Sequence, residues 1–132
     1  MIFALILFTA FIVMAAVTCA GADHNDIAQG QYIDHAFGRV ERASSTIVVS
    51  LVLMVCFHLG WGRTVAMCIY GAALFSALFC YRLNVLRGLP LDYVSLSNQY
   101  DTAFIMAFGM NAGKAAYVAE AVTCAVCLFL YL

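Results

Sequence analysis

Charge is what this chain has least of: six Lys/Arg and seven Asp/Glu are spread over 132 residues, for a net charge of −1. No basic patch is dense enough to track a phosphate backbone, so nucleic acid is excluded as a partner. A basic amphipathic helix of the kind that lies on anionic lipid is absent too. The polar segments contain no cysteine, which rules out a disulfide framework in the loops. Proline occurs once, at position 90. Neither GxGxxG nor a P-loop occurs, so nothing points to nucleotide chemistry.

What is present is apolar surface. Hydrophobic residues make up 66% of the chain, and the mean hydropathy is +0.99. A soluble domain draws about half of its residues from the apolar set and covers itself with charge. Thirteen charged side chains cannot build such a shell, so lipid must solvate most of the surface. The expected fold is an all-α integral membrane protein, a single four-transmembrane-helix bundle with a polar cap on one side.

The spans follow from runs long enough to cross a hydrocarbon core of about 30 Å at about 1.5 Å per residue. They are expected at about 1–22, 43–61, 64–86 and 112–132, with polar loops at 23–42 and 87–111. "MIFALILFTAFIVMAAVTCAGA" has no charged side chain. Its "AGA" before Asp23 resembles a signal-peptidase site. However, no Lys or Arg precedes the run, and the run is longer than a typical signal core, so a retained helix is expected. The third run places Ala66, Tyr70, Ala73 and Ala77 on one stripe, and the fourth does the same with Ala115, Ala119, Thr123 and Cys127. Small residues at this spacing let helices approach closely in lipid. The six cysteines lie in or beside apolar runs, where a thiol acts as a small hydrophobe. Glu120 falls two turns into the last span, so its carboxylate must face protein or water.

With four spans, both long polar segments lie on one side of the membrane. Arg39, Arg42, Arg82, Arg87 and Lys114 share that side, and Arg63 is alone on the other. The positive-inside rule puts the cap in the cytoplasm and both termini outside, in a plasma or bacterial inner membrane. The cap is expected to gather Glu41, Arg42, Arg82, Asn84, Arg87, Tyr93, Asn98 and Asp101. Ion pairs such as Glu41 or Asp34 with Arg82 or Arg87 should form there, because opposed charges attract more strongly at a low-dielectric boundary.

"DHND" and the nearby His35 add imidazole and carboxylate groups, so His24, His35, Asp23 and Asp26 form a candidate set for a divalent metal. Their spacing matches neither HExxH nor a histidine pair four residues apart. Ser95 and Ser97 lack a nucleophile elbow, so no catalytic residue is assigned and no cofactor is expected.

Phe79, Arg82, Asn84, "RGLP", Tyr93 and "SNQYD" together resemble small polytopic membrane proteins of phage and bacterial genomes. The resemblance covers about 25 residues and implies a phage-type membrane protein without a known activity. The expected function is a non-enzymatic structural, interaction or accessory role in the membrane. The bilayer, a homo-oligomer or a larger membrane complex would be the partners. A holin-like pore is the first alternative, because the Gly109–Gly113 and Ala115–Ala119 pairs suit self-association. A metal-dependent membrane enzyme using the cap is the second.

Overall fold

The computed structural model describes residues 2–31, 35–94 and 99–132; Met1, the intervening segments and the side chains of residues 35–39, 99–101 and 104 lie outside the description. Among the described residues there are five α-helices: α1 (Ile2–Ala28), α2 (His35–Phe57), α3 (Trp61–Leu86), α4 (Gln99–Phe108) and α5 (Ala112–Tyr131). A 3₁₀ turn, Gly109–Asn111, joins α4 to α5. Four helical segments are long and apolar enough to cross a membrane: Ile2–Ala28, Val40–Phe57, Trp61–Leu86 and Ile105–Tyr131. The chain is an all-helical membrane bundle.

Helix α1 continues six residues past its apolar run, from Ala22 to Ala28, and so carries Asp23, His24 and Asp26 as helical residues. At 27 residues it is about 40 Å long, which lifts its last turns out of the hydrocarbon. One face of α1 is Ala4, Phe8, Ile12, Ala16 and Ala20, each fully buried. This strict spacing of four forms a ridge, and α3 supplies the groove. A Cβ on Gly71 would sit 2.6 Å from Phe8 Cζ and 3.2 Å from Ile12 Cδ1, so the missing side chain is the socket for the Phe8 ring. In lipid this interface gains little from excluding water and relies on close van der Waals contact.

The bundle is centred on α3. Helices α1 and α5 pack along it extensively and α2 more lightly, while α1 meets α2 over a shorter length. The inner face of α2 includes Thr46, Ser50 and Leu53. Thr46 and Ser50 donate their hydroxyls to the carbonyls of Arg42 and Thr46, so neither buried hydroxyl is left unpaired. Of the small-residue stripe that the spacing predicts on α5, Cys127 is buried and Ala115 and Thr123 are half-buried, whereas Ala119 is exposed; Gly113 and Tyr131 are buried as well. Cys124 and Cys127 both belong to the apolar core.

Three helix ends close in the same way. Gln31 N–H donates to the Asp26 carbonyl, Leu59 N–H to Met54, and Leu89 N–H to Asn84. Each closure needs a left-handed residue just past the helix. Gly30 (φ +70°) and Gly88 (φ +66°) serve at two of these ends, and His58 (φ +50°) at the third. An L side chain pays about 1 kcal/mol for that backbone conformation. His58→Gly is therefore expected to stabilise the protein by about 0.5–1 kcal/mol, read as a higher thermal midpoint in detergent.

Candidate functional site

Two polar constellations occupy the cap end of the bundle. The first begins with the reach of α1 beyond the membrane. Asp23 follows Ala20 by three residues, so it extends the buried ridge toward α2. There, Nη2 of Arg42 donates to both Asp23 carboxylate oxygens, at 3.3 and 3.2 Å. Side-chain exposures of 23% for Arg42 and 13% for Asp23 mark the pair as mostly shielded from water. The guanidinium also lies over two rings of α3, 4.6 Å from the Phe79 centroid and 5.6 Å from that of Phe75. Those rings are one turn apart on α3 and stack at 5.7 Å. Arg42 thus ties α1, α2 and α3 together through charge on one side and π-surface on the other.

The second constellation is the end of α3 and the loop that follows. Asn84 is buried, and its Nδ2 donates to the carbonyls of Leu91 (3.1 Å) and Tyr93 (3.0 Å). Tyr117 of α5 adds its hydroxyl to the Leu91 carbonyl at 2.9 Å. Between the two clamped carbonyls, that of Asp92 rests directly on Gly113, leaving no room for a Cβ. "RGLP" and its surroundings are therefore one structural unit: Arg87 caps the helix, Gly88 reverses the chain, and Pro90 accepts from the Tyr93 N–H in the turn. The concentration of polar residues here seals a helix end against a neighbouring helix.

The sequence-predicted residues scatter around these two knots. Among the described residues, Glu41 pairs with neither Arg82 nor Arg87, and Arg42 pairs instead with Asp23. Arg42 lies on the inward stripe of α2 with Thr46 and Ser50, while Glu41, one position earlier, points outward and is exposed. Arg82, Arg87 and Tyr93 are also exposed. Asp34, Asn98 and the side chains of His35 and Asp101 lie outside the described residues. Glu120 is half-buried on α5.

Of the candidate metal ligands, Asp23 is engaged by Arg42. Asp26 is half-buried, and Nδ1 of His24 is buried without a hydrogen-bond partner among the described residues. Among the described residues, no group of three or more His, Cys, Asp or Glu side chains is arranged to hold a metal ion.

A third feature had no sequence signal beyond helix spacing. Among the described residues, no Cα of α1 comes within 8 Å of a Cα of α5, although both helices pack on α3. Between them lies an open groove of about 640 Å³, lined by Leu5, Ile6, Val13, Met14 and Leu128. Thr9 and Tyr70 also line it and share a hydrogen bond of 3.2 Å, with either hydroxyl able to donate. Counted along the helices, Thr9 is about 10 Å from the start of α1 and Tyr70 about 14 Å from the start of α3, inside the hydrocarbon core. At the far end of the bundle, Nε of Arg63 donates to the Tyr131 carbonyl at 3.0 Å. That bond satisfies the last turn of α5 with a cation at its negative pole.

No family model matches this chain, and neither a curated protein nor a solved structure matches it.

Proposed function

We propose that this protein is a non-enzymatic interaction component of the membrane, one that receives a transmembrane helix of a partner between α1 and α5. The groove over α3 carries this reading. Its apolar walls suit a helix, and the Thr9–Tyr70 pair provides a polar handle at a depth where hydroxyls join helices. The cap residues support it as well, because Asp23, Arg42, Asn84 and Tyr117 are spent on holding this chain's own helices. The complete burial of the α1 ridge supports keeping residues 1–22 as a transmembrane helix. With that helix retained, the positive-inside rule places the cap in the cytoplasm and both termini outside.

Photo-crosslinking in native membranes tests the reading. A photoreactive side chain at Val13, on the groove, is expected to give a discrete protein adduct, and one at Val52, on the outer face of α2, to give lipid adducts. Lipid adducts at both positions would overturn the proposal. An adduct with a second copy would make the protein a homo-oligomer. Vesicles carrying the purified protein are expected to retain a trapped dye, whereas release would support the holin-like reading.

A further inference from the structure

The apolar side chains at the cap end raise a separate question. Helix α5 has 20 residues and is about 30 Å long, so it crosses the hydrocarbon core without help. Its first turn, with Asn111 before it and Lys114 within it, then sits at the membrane boundary. The candidate span Ile105–Tyr131 would be about 40 Å if it were straight, about 10 Å more than the core. It is not straight. Gly109 takes φ +55° and separates α4 from α5 through the 3₁₀ turn.

Beyond that break lies α4. Among the described residues it packs only against the turn and α5, and against none of α1, α2 or α3. Met106 of α4 is 83% exposed, and Met110 in the adjoining turn is fully exposed. The facing loop adds exposed Leu91 and Tyr93 on the same side of the bundle. Side chains of this size facing water would form an apolar patch of a kind that soluble surfaces avoid.

We infer that α4 is an interfacial helix: it lies in the bilayer surface beside its own transmembrane bundle, with Met106, and Met110 in the adjoining turn, seated at the boundary between headgroups and acyl chains. The occupant of its apolar face is lipid. Continuity carries that assignment, since Met110 follows the chain directly into a helix whose Val118, Val122 and Val126 are exposed along the membrane-spanning length. The break at Gly109 lets the chain leave the direction of α5 at the depth where the bilayer surface begins.

Charge identifies the kind of lipid surface. Arg39, Arg42, Arg82, Arg87 and Lys114 on this side face Asp23, Asp26, Asp34, Glu41, Asp92 and Asp101, five cations against six anions. A basic surface helix needs anionic lipid, whereas this one is held by apolar area and does not.

Depth-dependent fluorescence quenching tests the inference. Met110→Trp is made in a Trp61→Phe background, so that the new indole is the only one. Met110 is fully exposed, so the substitution disturbs no packing, and Met106→Trp provides a second reporter. In phosphatidylcholine vesicles, bromines near the carbonyl end of the acyl chain should quench both reporters more than bromines near the methyl end. Val122→Trp, in the middle of α5, should show the opposite order. Adding anionic lipid should leave the quenching unchanged. Water-like emission without quenching would overturn the inference, because α4 would then stand in solvent. A blue-shifted emission without quenching would also overturn it, because protein would then cover the face.

Discussion

Gly113→Ala is expected to destabilise the protein by about 3 kcal/mol, the largest effect of a glycine-to-alanine change among the described residues. The new Cβ would run into the Asp92 carbonyl, so either the loop or α5 must move. The loop cannot yield cheaply. Its carbonyls on either side, Leu91 and Tyr93, are held by Asn84, and Leu91 is held again by Tyr117. Moving α5 instead would disturb its packing on α3. Gly21→Ala is the matching control. Nothing lies within 4 Å of its Cβ position and its backbone is helical, so it should be neutral or stabilising by up to about 1 kcal/mol. Unfolding midpoints in a mild detergent measure both. If the two variants fall within about 0.5 kcal/mol of each other, the loop does not rest on α5 as described.

Breaking the Asp23–Arg42 pair is expected to cost about 2–3 kcal/mol from either side, because each change leaves the other charge at a shielded site. The bonds are of ordinary length, and a single nitrogen serves both oxygens, so the electrostatic part alone is moderate. The two rings beneath the guanidinium add to it. Arg42→Lys keeps the charge but loses the flat face that lies over Phe79, and should recover less than half of the loss. The double variant Asp23→Asn with Arg42→Met should be less destabilised than the sum of the two single changes by about 1–3 kcal/mol. Strict additivity in that cycle would show that the two residues act independently. Raising the salt concentration should weaken the pair only slightly, in contrast to an ion pair on an open surface.

The helical class and the four spans were legible because lipid allows few solutions and the apolar runs are long enough to cross it with few charges. Gly88 and Pro90 likewise marked the end of α3, since a left-handed residue followed by proline is a local signal. The partner of Arg42 was not local. Choosing between Asp23 and the nearer-looking acids required knowing that α1 remains helical through "DHNDIA", although its composition turns polar there. Asn84 was recognisable as a polar residue near a helix end, but its role depends on two carbonyls seven and nine residues away that are aligned only once the turn has formed. Gly113 was noted for its spacing from Gly109, yet what it admits is a loop carbonyl. The groove between α1 and α5 depends on two crossings over α3, and no single helix encodes it.

The central position of α3 sets the order in which this chain can be made. Synthesis delivers α1 and α2 to the bilayer first, and these two meet over a shorter length than either shares with the later arrivals as a set. Until α3 emerges, Phe8 has no Gly71 to enter, and the ridge from Ala4 to Ala20 faces lipid or the insertion machinery. Likewise Arg42 and Asp23 lack the aromatic floor that α3 provides. Helices α1 and α2 therefore wait in a loosely joined state, and the arrival of the third helix turns three separately inserted segments into one folded unit.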